Sequence, residues 1–289
     1  KEVQANRSEN SVNHIILLTD GRTYGDEEDC RKQAGWAGLN QVSLSTMGIG
    51  ADWNENLLDA MANASGGISS YIDSPRKIVD AFKSTVRELS TIVAREIVLT
   101  INPSQDVTLH EAFQITPHIR RLEVSGNTSI LGPLGTTGRK TIVMELRVKG
   151  LTEPGEQRLV RFSVEGDVPS HSSRQSWAWA EINVEVSDAP DIETNIPPVI
   201  ITALGKLAIF KMQEKALDDL NKGNVIAATQ RLENMATRLL NLGETELARA
   251  ALLEAGRLSR TGNLSAEGKK KIRYGTRSLS ILPKEIHND

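Results

Sequence analysis

The residue best placed for chemistry is a single carboxylate, Asp20, which follows an apolar run at residues 15–18. A short apolar run that ends in a turn signal, here Thr19-Asp20-Gly21, is typical of a strand buried on both faces of a sheet. Asp20 would then lie at the carboxyl end of that strand, where open α/β sheets bind their ligands. A carboxylate at that position suits a hard cation such as Mg²⁺. The alternative is a turn aspartate that only caps the next element.

The sequence lacks the motifs of several known enzyme classes. It has no GxSxG nucleophile elbow, no Walker A loop, no HExxH zinc motif and no CxxC pair. Gly48-Ile49-Gly50 lacks the third glycine of a dinucleotide-binding fingerprint, because Trp53 takes that position. The histidines stand singly and without metal-ligand spacing: His14, His110, His118, His171 and His287. An α/β enzyme is therefore the least supported class of function.

A succession of motifs after Asp20 links the chain to a known family. A helical pattern is followed by a second strand pattern at residues 41–47, by NENLLDAMA at residues 54–62, and by a Ser-Gly-Gly turn and Tyr71-Ile72. This order, over roughly residues 1–94, resembles the second half of a von Willebrand factor type A domain. The resemblance implies a partial Rossmann-like sheet and a metal-ion-dependent adhesion site to which Asp20 contributes. The family's other ligands, a DxSxS motif and a threonine in a later loop, cannot be assigned in this sequence.

The resemblance also implies how such a site would work. A complete domain would hold Mg²⁺, or Mn²⁺ or Ca²⁺, and an acidic side chain of a protein partner would fill the open coordination position. Asp20 is a single carboxylate and cannot replace the ligands that are not assigned. We therefore expect weak or no metal binding by this chain. The N-terminal half of the type A domain would be needed to complete the sheet. Residues 1–94 alone are not expected to fold stably, because residues 15–18 would form a bare apolar edge.

Composition narrows the range of partners. The chain has 289 residues, and its formal net charge of −3 gives no support for a nucleic acid or an anionic membrane as partner. No run of 18 apolar residues is present, so no membrane span is predicted. Cys30 is the single cysteine, which excludes an internal disulfide framework.

Changes in hydrophobic period divide the chain into domains of α/β, all-β and all-α class. We predict the type A half at residues 1–94, a β-sandwich at residues 95–190, a linker at residues 191–198 and a helical bundle at residues 199–282. Within the last of these, helices are predicted at about residues 200–221, 225–241 and 244–260.

Three further expectations concern packing. The helix after Ser74-Pro75 has an apolar face at helical spacing, which predicts that it packs on the sheet. Trp177 and Trp179 share one face of a strand, which favours core or inter-domain packing over ligand stacking. A basic cluster near the C-terminus is interpreted as a solvated helix face and not as a nucleic-acid contact; it comprises Lys269, Lys270, Lys271, Arg273 and Arg277.

The resemblance, with the succession of three classes of domain, favours a non-enzymatic protein-binding or adhesion-type module like those in bacterial multidomain type A proteins. Its metal site would be incomplete in this sequence. The alternative is an intracellular scaffold or adaptor subunit that works with an ATPase. An α/β enzyme ranks behind both.

Overall fold

Three regions succeed one another in the computed structural model: a parallel α/β region, an antiparallel β region and a helical region. The structure describes residues 2–6, 12–136, 138–150, 154–170, 175–187 and 196–279. Most of the predicted linker, and the histidines at positions 171 and 287, lie outside these residues.

The α/β region is built on three parallel strands in the order β1-β2-β3. The apolar run before Asp20 forms β1, as predicted, and pairs in register with β2 from His14↔Ser43 to Thr19↔Gly48. Asn54 caps α3, since its side chain accepts hydrogen bonds from the backbone of Asn56 and Leu57. The elements are α1 (Glu2–Ala5), β1 (His14–Thr19), α2 (Glu27–Leu39), β2 (Ser43–Ile49), α3 (Glu55–Ala64), β3 (Ser69–Ile72) and α4 (Ile78–Ser90).

Only the middle of this sheet is well covered. Leu44 of β2 packs in one cluster with Ala34 of α2 and Leu57 of α3, and Met47 of β2 is also buried. Among the described strands, β1 pairs with β2 alone, and its Ile15 and Leu18 side chains are 36% and 44% exposed. The strand that carries Asp20 is therefore an edge strand of the described sheet.

Two antiparallel sheets follow, a four-stranded one in the order β10-β9-β4-β7 and a three-stranded one in the order β6-β5-β8. Apolar side chains from both sheets share one core, which includes Leu99 of the first sheet and Ala112 of the second. The strands are β4 (Ile92–Pro103), β5 (Val107–Gln114), β6 (Arg120–Arg121), β7 (Thr128–Gly135), β8 (Ile142–Val148), β9 (Gly155–Asp167) and β10 (Gln175–Val186).

Two packing predictions are wrong. The apolar face of α4 does not pack on the parallel sheet: Val79, Phe82 and Val86 are 57%, 50% and 46% exposed, and α4 lies chiefly against β7. Trp177 and Trp179 are 69% and 57% exposed on β10, an edge strand of its sheet. In both cases the sequence pattern identifies an apolar face, but no described element lies opposite that face.

Four helices end the described chain, and the three predicted from periodicity are present. Glycine at position 262 ends α7 in the left-handed conformation, which favours glycine. The helices pack on the antiparallel region as well as on each other, since Phe113 meets Phe210 edge-on at 6.2 Å. None of the described helices has the length and apolar character that a membrane crossing requires. They are α5 (Pro198–Asn221), α6 (Val225–Asn241), α7 (Thr245–Thr261) and α8 (Ala266–Arg277).

Candidate functional site

Asp20 lies directly after β1 and is exposed at the carboxyl edge of the parallel sheet. The turn is held by Thr19, whose hydroxyl accepts a hydrogen bond from the Gly21 backbone amide at 3.3 Å and contacts the Gly21 carbonyl at 3.2 Å. The carboxylate thus stands where a ligand-binding residue of an open α/β sheet is expected. Its role as a metal ligand stays a prediction.

The residues described around Asp20 do not by themselves fit a divalent cation. In the described part of the chain, no three His, Cys, Asp or Glu side chains are grouped so that they could hold a metal ion. The acidic run after Asp20 starts α2, with Glu27, Glu28 and Asp29 in its first turn, where carboxylates favour the helix dipole. These acids therefore have a structural explanation.

Gly48, near the end of β2, makes room for an aromatic ring. Trp53 is fully buried, and a Cβ atom on Gly48 would lie 2.0 Å from its ring. The indole Nε1 donates a hydrogen bond to the Gly50 carbonyl at 2.8 Å. The Trp53 ring in turn meets Tyr71 of β3 and Tyr274 of α8, with ring centroids 6.3 and 5.6 Å away. This cluster is where the helical region reaches the carboxyl edge of the parallel sheet.

Lys270 of α8 is inserted next to that cluster and is only 2% exposed. Its Nζ donates hydrogen bonds to the carbonyls of Ala51 and Trp53 at 2.6 and 3.1 Å, and lies 4.7 Å from the Trp53 ring centroid. Burial lowers the pKa of Lys270, while the Glu55 carboxylate 3.5 Å away raises it. The charge of Arg22, two residues after Asp20, also lowers that pKa. α8 therefore docks within electrostatic reach of the Asp20 edge.

A second acid of α3, Asp59, is 6% exposed and fully occupied by α8. Arg277 donates two hydrogen bonds to it at 2.6 and 2.7 Å, Tyr274 donates one at 2.8 Å, and Arg273 forms an ion pair with it. Burial alone would raise the pKa of Asp59, but these hydrogen bonds and positive charges hold it below its usual range. The Arg277 carbonyl also accepts a hydrogen bond from the Ile119 amide of the antiparallel region at 2.8 Å.

The interpretation of the C-terminal basic cluster as a solvated helix face is therefore wrong. Lys269, Lys270, Arg273 and Arg277 form ion pairs with Glu55 or Asp59. The physical reason is that α3 carries two acids one helical turn apart on a buried face, and cations at matching spacing on α8 neutralise them.

Comparison with known proteins agrees with this division of the chain. Residues 1–71 match the family model of the von Willebrand factor type A domain, and residues 198–281 match that of the Sll0103-like, C-terminal alpha-helical domain. The chain carries a von Willebrand factor type A region and a Sll0103-like helical domain. The ion pairs of Glu55 and Asp59 thus join one matched region to the other.

Two relatives are themselves uncharacterised. The protein sll0103 of Synechocystis sp. (strain ATCC 27184 / PCC 6803 / Kazusa) is 26% identical over 292 residues, which cover 96% of this chain and 68% of that protein. The protein YfbK of Escherichia coli (strain K12) is 24% identical over 178 residues, or 59% of this chain and 30% of YfbK. This chain therefore spans less than a third of YfbK.

Solved structures support the fold. A von Willebrand factor type A protein from Catenulispora acidiphila superposes with a TM-score of 0.75 at 16% identity, over 96% of this chain and 67% of that one. The ArnB paralog VWA2 from Sulfolobus acidocaldarius gives a TM-score of 0.52 at 14% identity, over 97% of this chain and 67% of that one. The type A fold with a helical C-terminal region is thus shown for this chain.

Sequence reasoning missed Glu55 and Asp59 of the type A region. They stand in the NENLLDAMA stretch that carried the family resemblance, but they had no assigned role. The one available signal was spacing, because acids at positions i and i+4 share a helix face, as do Lys270, Arg273 and Arg277. Such spacing suggests that a face is charged and does not say which other helix it meets.

Proposed function

We propose that this chain is a non-enzymatic protein-interaction module. The type A region supports this, because domains of this family serve in protein interactions. The sequence adds support, since it contains none of the nucleophile, phosphate-loop or zinc motifs considered above.

The observation that carries the proposal is the exposed apolar stripe of α4. Val79, Phe82 and Val86 follow one another at spacings of three and four residues, so they lie along one face of the helix. All three are about half exposed, and no residue of α4 is buried. A soluble protein rarely leaves such a stripe in water unless another protein surface covers it. An amphipathic helix of this kind fits an apolar groove of a partner.

Site-specific photocrosslinking tests this surface. A photoreactive residue at position 82 should crosslink a protein partner, and one at position 83, on the polar side of α4, should do so far less. Phe82→Ser and Val86→Ser should weaken capture of that partner at least about tenfold, as expected for loss of apolar anchors. Lys83→Ser is the matched control and should leave capture unchanged. Equal capture by all three variants would remove α4 from the proposal.

We also propose that a divalent cation, Mg²⁺, Mn²⁺ or Ca²⁺, takes part at the carboxyl edge, with Asp20 as one ligand and an acidic side chain of the partner as another. The exposure of Asp20 at the end of β1 supports this. Since the described residues do not form a cation site by themselves, the other ligands would come from outside them. Capture should then fall on addition of EDTA and with Asp20→Asn. Asp52→Asn, another exposed acid near this edge, is the control.

The remaining regions would present the type A region to its partner. We propose that residues 95–190 act as a β-sandwich and residues 199–282 as a helical bundle, with the type A half at residues 1–94. The shared core of the two antiparallel sheets supports this division. Limited proteolysis should cleave between these units first, and early cleavage within β4 or β9 would contradict it.

A further inference from the structure

A cavity of about 300 Å³ lies at the amino-terminal end of the parallel sheet, away from Asp20. Its walls come from the start of β1, the Gly66-Gly67 turn before β3, the end of α4 and the antiparallel region around β6 and β7. It is therefore bounded by two different regions of the chain. Small-molecule sites are commonly found at such junctions, and this volume is at the lower end of their usual range.

Two partly buried cations, Lys140 and Arg120, line this cavity and are held by backbone and amide oxygens. The Lys140 Nζ donates one hydrogen bond, to the Leu131 carbonyl at 2.6 Å. The Arg120 guanidinium donates to the Gln114 side chain and to the Ile130 carbonyl, both at 3.2 Å. Among the described residues, no carboxylate lies within ion-pair distance of either cation. The charge of Glu123 acts on Arg120 from outside the cavity, but neither cation is ion-paired, so an anion bound here would be stabilised by both.

His14 adds a polar group to the same wall. Both of its ring nitrogens are buried and have no hydrogen-bond partner in the described structure. Burial lowers the pKa of His14 to about 4, so the ring is neutral at physiological pH and can donate one hydrogen bond.

The rest of the lining is mostly apolar. Ile68, Leu89, Ile92 and Leu134 are among the residues that form the wall. Glu88 is the one carboxylate among the lining residues, and it is not ion-paired with Lys140 or Arg120. A ligand that fits these surfaces has one anionic end and an apolar body.

We propose that this cavity binds a small organic carboxylate, with its anionic group held by Lys140 and Arg120 and its apolar body against the aliphatic wall. The site is separate from Asp20 and from the exposed stripe of α4, so it does not depend on the proposed interaction function.

Hexanoate is a suitable probe, and titration calorimetry on the whole chain is the measurement. Hexanoate should bind saturably in the millimolar range or tighter. Hexanamide, which has the same body without the charge, should bind at least about tenfold more weakly. Inorganic phosphate should bind more weakly than hexanoate, because it leaves the aliphatic wall in water. Equal binding of hexanamide, preference for phosphate, or no binding of hexanoate would each overturn the proposal.

The pH dependence gives a second test on the unaltered protein. Burial, together with the charge of Arg120, lowers the pKa of Lys140 to about 7. Hexanoate binding should therefore weaken about tenfold between about pH 6 and about pH 8, as Lys140 loses its proton. The other charged or titratable groups at the cavity are His14, Arg120, Arg139 and Glu88, and the charge of Glu123 acts on Arg120. Burial raises the pKa of Glu88. The pKa of Arg120 is about 10, so neither it nor His14 titrates in this interval.

Substitutions test whether Lys140 causes the pH dependence of hexanoate binding. Lys140→Met should weaken hexanoate binding at least tenfold and abolish the pH dependence, whereas Glu88→Gln should keep the pH dependence. Lys149→Met, at an exposed lysine, is the matched control and should bind as the unaltered protein does. A pH dependence that survives in Lys140→Met would refute the assignment to Lys140.

Discussion

Charged side chains are paired differently at the two ends of the parallel sheet. At the carboxyl end, Glu55 and Asp59 are matched by the cations of α8. At the amino end, Lys140 and Arg120 face a cavity with backbone and amide partners but no ion-paired carboxylate among the described residues. The ion pairs at the carboxyl end hold α8 against α3. At the amino end, the positive charge is available to pair with a bound anion.

The largest expected effect tests the matched end. Asp59→Ala removes the acid that two arginines share, and it leaves the partly buried Arg273 and Arg277 without a carboxylate partner. We expect a loss of about 3–5 kcal/mol in the free energy of unfolding, measured by urea denaturation. Asp52→Ala, at an exposed acid, should change it by less than about 0.5 kcal/mol. A small effect of Asp59→Ala would show that the contact between α3 and α8 does not stabilise the fold.

A pair of lysine substitutions compares the two ends directly. Lys270→Met should cost about 2 kcal/mol, because it removes the hydrogen bonds to the Ala51 and Trp53 carbonyls and leaves them unsatisfied. Lys140→Met should cost less than about 1 kcal/mol or stabilise the protein, because it removes a buried cation without an acid partner. Urea denaturation at about pH 7 measures both. Equal losses would contradict the distinction between the two ends.

Stability should rise with pH at both ends of the sheet, but in different pH ranges. Burial would raise the pKa of Glu55, but the Lys269 and Lys270 contacts lower it to about 2. Its contribution is therefore present above its unfolded pKa, near 4.5, and is lost as the pH falls towards 2. Lys140 has a folded pKa of about 7, below its unfolded value of 10.5, so the protein should gain stability as the pH rises between these values. Thermal melts of Glu55→Gln and Lys140→Met should each lose one of these slopes.

The smallest effect is expected at Asp20. Because this residue is exposed, Asp20→Ala should change the free energy of unfolding by less than about 0.5 kcal/mol. Addition of Mg²⁺ to this chain should not shift the melting temperature measurably, since the described residues lack a grouped ligand set. A clear shift that Asp20→Ala abolishes would mean that ligands outside the described residues complete the site.

Local patterns predicted much of the fold. The apolar run before Asp20 became β1, and helical spacing placed α5, α6 and α7 within a few residues of their bounds. These features depend on neighbouring residues, which a sequence shows directly. The order of motifs from Asp20 to Tyr71-Ile72 also led to the type A family, which the comparisons support.

Long-range partners could not be predicted in the same way. Tyr274 meets Asp59 across 215 residues of sequence, and no local spacing connects the two. An apolar face can be seen in the sequence, but the sequence does not identify the element that packs on it. This is why the predictions for the stripe of α4 and for Trp177 and Trp179 failed. The amino-terminal cavity combines both difficulties, since Lys140 and His14 come from different regions.

Arg277 has a wider consequence than its pairing with Asp59. Its guanidinium holds the type A region, while its carbonyl accepts the Ile119 amide of the antiparallel region. One residue near the end of α8 thus ties three successive regions together. Heat should accordingly melt them in one cooperative calorimetric transition, and a chain that lost α8 should melt in two.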